Sequence, residues 1–298
     1  MARIIECVPN CSEGRNHEII EYIADAVRSV PGVALMDYSW DENHNRSVYT
    51  IVGDPDQMVE AAFRFSKACV EKIDLRNHQG AHPRMGAVDV IPFTPVKDVT
   101  MEECIELSKK LSQRIWEELH VPVTLYEESA SAPHRRNLAA IRKGQFEGMP
   151  EKLQDPKWYP DYGNHEIHPT AGIVAVGARF PLVAYNINLS TSDVEIANKI
   201  AKTIRESSGG MKYIKSIGVM LEERNVAQVS INMTNYTKTP IYRVFETVRF
   251  EAARYGVSII GSELIGIVPM DALVGAAEYY LKLENFDKEN QIMEKHLL

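Results

Sequence analysis

Cysteine is scarce in this chain, four in 298 residues. Cys7 and Cys11 stand too far apart for a CxxC motif, and Cys69 and Cys104 supply no second close pair for a zinc site. Free thiols in a reducing compartment are expected. Long apolar runs are missing too. No stretch approaches the ~20 residues that cross a bilayer, and the opening Met1-Ala2-Arg3-Ile4-Ile5-Glu6-Cys7 places a carboxylate inside its only apolar run, unlike a signal peptide. A cytoplasmic protein without membrane contact is the expectation. Positive charge is in deficit: 33 Lys and Arg against 41 Asp and Glu leave a net charge of −8. Coating nucleic acid needs a basic field, so that partner is excluded, and an anionic ligand would have to be held by local Arg or Lys clusters. Phosphate loops are lacking as well. The stretch from Gly172 to Gly177 does not have the GxGxxG spacing, and no GK(S/T) occurs, so no nucleotide is expected. There is no GxSxG elbow.

What is present is an ordinary globular composition, 45% hydrophobic and 25% charged, on a chain long enough for one large domain or two medium ones. Arg3–Val8 reads as a short strand. Asn16 caps a helix whose apolar positions Ile19, Ile20, Ile23, Ala26, Val27 and Val30 follow the helical period. Val33–Asp37 and Arg46–Val52 read as strands, Asp54-Pro55 opens a helix to about Ile73, and Ala87–Phe93 is a further strand. The order β-α-β-β-α-β is the ferredoxin-like split βαβ pattern. Met101–Leu119 predicts a helix and Val121–Tyr126 a strand. The polar passage from Glu127 to His168 reads as part connector, part functional loop. The second half echoes the first: strands at Gly172–Val176 and Leu182–Leu189, a helix capped by Ser192 or Asp193 to about Glu206, strands at Ile217–Leu221 and Ala227–Met233, a helix over Thr239–Tyr255, a strand at Ser258–Ile260 and a last helix over Asp271–Leu283. Two α/β (α+β) subdomains, residues 1–170 and 171–298, facing each other across a cleft, are expected.

The least ordinary segment runs from Arg76 to Asp89, with His78, His82, Arg84, Gly80 and Gly86 ahead of a buried-looking strand. A histidine there can take and return a proton near neutral pH. It can equally well satisfy loop backbone groups; the neighbouring Arg76 and Arg84, suited to carboxylates, bring the two readings level. Metal is not expected. The i, i+4 pair His78 and His82 would ligate zinc on a helix, which Gly80 and Pro83 oppose, and no HExxH occurs. Asn10, Asp37, Asn45 and Arg46 fall at strand ends where they can meet a ligand, although Asn10 and Asn45 suit turns first. Cys11 reads as a small buried thiol before a nucleophile.

Several motifs then stand in one order: Glu6-Cys7-Val8-Pro9-Asn10, Ser12-Glu13-Gly14, Asn45-Arg46 and His82-Pro83-Arg84-Met85-Gly86-Ala87-Val88-Asp89. Pro160-Asp161-Tyr162-Gly163, Gly177-Ala178-Arg179, Asn186-Ile187-Asn188-Leu189, Ala227-Gln228-Val229-Ser230 and Gly266-Ile267-Val268-Pro269 follow. The chain strongly resembles the glutamate formiminotransferase family across its whole length. Animal members carry a cyclodeaminase domain after this region; the present sequence corresponds to the transferase part. The resemblance implies transfer of a formimino group from N-formimino-L-glutamate to N5 of tetrahydrofolate in histidine breakdown. It further implies two subdomains enclosing a folate groove, and a homodimer. It makes His82 the catalytic residue. It places folate contacts in the loop from Gly163 to Gly172, including Asn164, His165 and Thr170, where residues 164–170 differ from the animal pattern; Asn10, at its strand end, is a further folate candidate. Ser39 stands where animal members have a carboxylate, and Asp41 is the candidate to replace it. Both substrates bear carboxylates, so Arg46, Arg84 and Arg179 are expected to bind them. The resemblance thus makes tetrahydrofolate a co-substrate and calls for neither metal nor nucleotide. Transfer of formyl instead of formimino is the nearest rival. A folate-binding protein without turnover, and a hydrolase with metal on His78, His82, His165 and His168, are more distant ones.

Overall fold

The computed structural model describes residues 3–297. Met1, Ala2 and Leu298, which entered the reading of the termini, lie outside the described residues. The chain divides into two compact units, unit 1 ending at Arg179 and unit 2 beginning at Phe180. The division lies beyond the expected 170/171 because the strand following residue 171 pairs into the sheet of unit 1.

Unit 1 opens with strands β1 (Ile4–Cys7) and β2 (Asn10–Cys11), interrupted at Val8-Pro9. Helix α1 (His17–Arg28) starts at Asn16, whose side chain accepts from the amides of Glu18 and Ile19, and buries Ile20, Ile23, Ala24 and Val27 as one stripe. Strands β3 (Val33–Asp41) and β4 (Arg46–Gly53) form a hairpin, followed by α2 (Pro55–Lys72), which has Asp54 as its cap and proline in its first turn. Strand β5 (Val88–Lys97), helix α3 (Met101–Leu119, with a Thr100/Glu103 capping box) and β6 (Val123–Glu127) come next. Short helices α4 (Leu138–Arg142) and α5 (Gln145–Lys152) precede β7 (Val174–Ala178). Strands β3, β4, β1 and β5 lie side by side in that order, each antiparallel to its neighbour; β7 then pairs parallel to β5, and β6 parallel to β7.

Helices α1, α2 and α3 pack on one face over Ile5, Tyr49, Ile51, Phe93, Val174 and Val176. On the other face Ala175, Val90 and Tyr126 meet Ile141, Met149 and Leu153, since neighbouring residues of a strand point to opposite faces. All five residues of β7 are therefore buried. The passage from 127 to 168, expected to be irregular, is this second cover. Its helical pieces escape a periodicity reading because left-handed Gly144 separates them and Pro150 sits inside α5.

Unit 2 runs β8 (Val183–Leu189), α6 (Val194–Ile204), β9 (Ile214–Leu221), β10 (Val226–Met233), α7 (Ile241–Arg254), β11 (Ile259–Ile265) and α8 (Met270–Leu281), with short α9 (Lys288–Gln291) and α10 (Glu294–Leu297). Its antiparallel sheet has the order β11-β8-β10-β9, the same placement by chain position as β5-β1-β4-β3. The two halves thus share the split βαβ topology. Among the described residues no helix is long and apolar enough to cross a membrane.

Candidate active site

The histidine-bearing segment of unit 1 is held on three sides. Leu75 donates its amide to Thr170 O (2.9 Å), and Asp74 caps the single 3-10 turn Leu75–Asn77. Ala81 donates its amide to Asn43 O (3.0 Å), at the β3–β4 turn. Asn45 takes the left-handed conformation there (φ 50°), accepts from the Gly14 amide (2.9 Å) and donates to Gln79 O (3.0 Å). This is the turn role expected of it. Gly80 passes so near the turn that a Cβ would lie 2.3 Å from His44 O, so no other residue fits without moving the loop. Further on, Ser12 Oγ donates to Gly86 O (2.8 Å), Ala87 N to Ala171 O (2.9 Å) and Ile173 N to Met85 O (3.1 Å).

The loop delivers His82, 5% exposed, onto Asp89 at the start of β5. His82 Nε2 lies 3.2 Å from Asp89 Oδ2. A carboxylate only accepts, so Nε2 carries the proton and Nδ1 keeps its lone pair; among the described residues Nδ1 meets no hydrogen-bond partner. Asp89 is wholly buried. Its Oδ1 accepts from the Met85 amide (3.2 Å), and its Oδ2 accepts a second time, from Arg142 Nη2. Burial alone would raise the Asp89 carboxyl; the His82 hydrogen bond and the Arg142 charge outweigh it and hold the group below its ordinary value.

A second cluster sits behind. Arg84, 6% exposed, spends all five of its N–H donors on protein: Nε on His78 Nδ1 (3.2 Å), Nη1 on Gln145 Oε1 (3.3 Å) and Glu147 Oε2 (2.9 Å), Nη2 on His78 O (3.2 Å) and Glu147 Oε1 (2.7 Å). A substrate carboxylate reaches Arg84 only by displacing Glu147, whose side chain is exposed. His78 Nε2 in turn donates to Asn45 O (2.8 Å), so both its ring nitrogens are engaged. Among the described residues no group of three or more His, Cys, Asp or Glu side chains could hold a metal ion.

Burial pulls the His78 imidazole below its ordinary 6.5; the Asn45 carbonyl opposes this, and the Arg84 charge adds to it. The unfolded chain therefore takes up this proton at higher pH than the folded one. The contribution to stability is whole above pH ~6.5 and declines as the pH falls through the histidine range. Between pH 8 and pH 5 the melting temperature should drop further for the unsubstituted protein than for His78→Gln, which cannot titrate. Parallel drops would mean that His78 does not contribute to the acid sensitivity.

Arg46, half-buried on β4, donates from Nη1 to Asn10 Oδ1 (3.4 Å), while Asn10 Nδ2 donates to Val8 O (3.1 Å). Asp41 is the cross-strand neighbour of Arg46, but its oxygens are taken by the His44 amide (2.8 Å) and ring Nδ1 (3.0 Å). Asp37 and Ser39 are exposed on β3. Arg179 ends unit 1, and its charge acts on Glu6, Cys7 and Tyr126. In the 163–172 loop Asn164 and His165 are exposed, His165 stacks on Tyr159 at 3.5 Å, and Thr170 and Ala171 donate their amides to His168 Nδ1. Gly172 bridges to Gly86, which ties this loop directly to the histidine segment.

Asp89, Arg142 and Glu147 had no site role in the sequence reading. Asp89 stands seven residues from His82 at the head of a strand, a spacing with no regular periodicity. Arg142 and Glu147 come from the passage whose helices the sequence hides.

A lone-pair-bearing imidazole on a buried carboxylate, flanked by arginines, is equipment for moving protons on an anionic substrate. The description "Formiminotransferase domain, N-terminal subdomain" matches residues 4–179, and "Formiminotransferase domain" matches residues 184–297. The chain is 58% identical over 298 residues to the glutamate formimidoyltransferase of Streptococcus pyogenes serotype M1, covering 100% of each. It is 49% identical over 294 residues to that of Thermoplasma acidophilum, covering 98% of this chain and 97% of the relative. To the formimidoyltransferase-cyclodeaminase of Rattus norvegicus it is 44% identical over 301 residues, covering 98% of this chain and 56% of the relative. The chain belongs to the formiminotransferase family.

Proposed function

We propose that the chain transfers the formimino group of N-formimino-L-glutamate to N5 of tetrahydrofolate, releasing glutamate, with His82 as proton carrier. The observation that carries this reading is the orientation of His82, whose Nε2–H is committed to Asp89 while Nδ1 remains able to accept. N5 attacks the formimino carbon and a C–N5 bond forms. In the tetrahedral adduct His82 Nδ1 takes the N5 proton and gives it to the glutamate nitrogen, and that C–N bond breaks. Amine replaces amine, one proton moves from one nitrogen to the other, and the imidazole ends neutral. Asp89 stabilises the imidazolium formed in between; steps of this kind contribute ~10²–10⁴ in rate.

The reading makes tetrahydrofolate the co-substrate, with the 163–172 loop (Gly163, Asn164, His165, Thr170 and Gly172) and Asn10 around it. The loop's bonds to the histidine segment favour that placement. Arg46 and Arg179 are carboxylate ligands in this reading, and Arg84 becomes one where Glu147 swings away. A cytoplasmic homodimer acting in histidine degradation completes the proposal. The test is an anaerobic assay with tetrahydrofolate and either N-formimino-L-glutamate or N-formyl-L-glutamate, following the 5-substituted folate by absorbance. Formiminoglutamate should be the faster donor. Faster turnover of formylglutamate would replace the donor, and folate binding without turnover of either would leave only a binding protein.

A further inference from the structure

Two half-buried guanidinium groups, those of Arg46 and Arg142, have donors that no acceptor among the described residues uses. Among the described residues Arg46 makes one side-chain hydrogen bond, from Nη1 to Asn10 Oδ1 at 3.4 Å, and its buried Nε has no partner. Arg142 spends Nη2 on Asp89 Oδ2, and its Nε is likewise buried without a partner. Each arginine carries five donors in a planar fork. Asn10, the partner of Arg46, pairs across the sheet with Val90, the residue after Asp89, so both guanidinium groups are held around that carboxylate; burial, then the Arg142 charge, lowers the affinity of Arg46 for its proton, with Asp89 and Asp41 opposing. Facing these two cations is one wholly buried carboxylate, Asp89, whose Oδ2 already accepts from both Arg142 and His82. The oxygens of Asp41 are held by His44. The cluster is thus one positive charge in excess, with unspent donors out of water, and buried charge is normally compensated. Arg142 is also held in place. Lys152 Nζ, on α5, donates to Ala140 O (2.7 Å) and Lys143 O (3.0 Å) on either side of the end of α4.

We infer that Arg46 and Arg142 together bind the α-carboxylate of the glutamate donor, an inference that rests on the transfer reading above. His82 and Arg142 share a single oxygen of Asp89, so the arginine fork lies beside the proton carrier. The nitrogen that His82 must protonate is bonded to Cα. The α-carboxyl carbon is the next atom along from Cα, whereas the side-chain carboxylate lies at the far end of a flexible ethylene arm. The α-carboxylate is the group that reaches both at once, and its bidentate capture fixes the scissile C–N bond relative to Nδ1.

The test compares steady-state kinetics of the full chain with Arg46→Gln, Arg142→Gln and Arg142→Lys. The donors are N-formimino derivatives of L-glutamate, of 2-aminobutyrate (no side-chain carboxylate) and of 4-aminobutyrate (no α-carboxylate). Either Gln variant should raise KM for the glutamate and 2-aminobutyrate donors by ~10–100-fold, the range for a hydrogen bond to a charged group. KM for tetrahydrofolate should stay within about twofold, and the 4-aminobutyrate donor, poor from the start, should barely respond. Arg142→Lys keeps a cation for Asp89 and loses the fork, so it should resemble Arg142→Gln in KM even where the Gln variant is less stable to heat. A rise in tetrahydrofolate KM alone would give these arginines to the folate. Equal sensitivity of the 4-aminobutyrate donor, or none with any donor, would overturn the subsite. Should the unsubstituted chain turn over no formimino donor, the function reading falls. Calorimetric binding of L-glutamate against 4-aminobutyrate to it and to Arg46→Gln then still decides the subsite, with loss of glutamate preference in the variant expected and an unchanged preference refuting it.

Discussion

His82→Ala should fold as the unsubstituted protein does and lose kcat by ~10²–10⁴, with a much smaller change in either KM. The direction follows from what the side chain touches. Among the described residues its one hydrogen-bond partner is Asp89 Oδ2, while the loop that carries it is fixed by other groups: the Ala81 amide on Asn43 O, Gly80 packed against His44 O and the Asn45 side chain on Gln79 O. Removing the imidazole therefore leaves the segment in place and Asp89 still paired with Arg142. Binding of tetrahydrofolate should survive. Partial recovery of turnover with added imidazole would mark the lost group as a proton carrier rather than a packing element. A well-folded His82→Ala with near-normal kcat would remove His82 from the mechanism.

The elements legible in the sequence are those whose signals are local. Asn16, Asp54 and Asp193 each cap a helix where expected, because a cap is read within four residues of chain. Strand ends were less exact. Strand β3 extends to Asp41 instead of Asp37 and β11 to Ile265 instead of Ile260, since cross-strand pairing with β4 and β8 carries them beyond their apolar residues. The sequence predicts a strand at Gly172–Val176 in the second half, whereas the strand runs Val174–Ala178 and belongs to unit 1. Its apolar run says that both faces are covered, and not which sheet it joins; the partners, β5 and β6, lie far back in the chain. The site divides in the same way. His82 and Arg84 stand out by composition within one loop. The acids that decide what they can do, Asp89 and Glu147, are set by a strand start and by a helix hidden behind Gly144, and the five-fold engagement of Arg84 is a property of three dimensions only.

Asp89→Asn should cost turnover on the same scale as loss of His82, ~10²–10⁴ in kcat, although Asp89 touches no substrate and serves as a positioning residue. In the unsubstituted protein the carboxylate accepts from His82 Nε2, which fixes the proton there and the lone pair on Nδ1. An asparagine has the same shape and no charge, and its NH₂ can turn toward Nε2. The imidazole then prefers the opposite tautomer, with the proton on Nδ1 and the lone pair buried against residue 89, where no substrate proton can reach it. Loss of the equivalent charge in a Ser-His-Asp triad lowers kcat by about 10⁴ through this exchange of tautomers. A second consequence concerns Arg142. Its hydrogen bond runs to the same Oδ2, and breaking a buried ion pair costs ~3–5 kcal/mol when one charge is left alone. Arg142 keeps some exposure, 18% of its side chain, so the melting temperature should fall by less than that figure implies. The readout that separates positioning from mere stability is the ¹⁵N shift pair of the His82 ring. In the variant the protonated nitrogen should change from Nε2 to Nδ1 at a pH where the protein is fully folded. A folded Asp89→Asn with kcat intact, or with the tautomer unmoved and kcat lost, would show that the charge of Asp89 is not what orients the proton on His82.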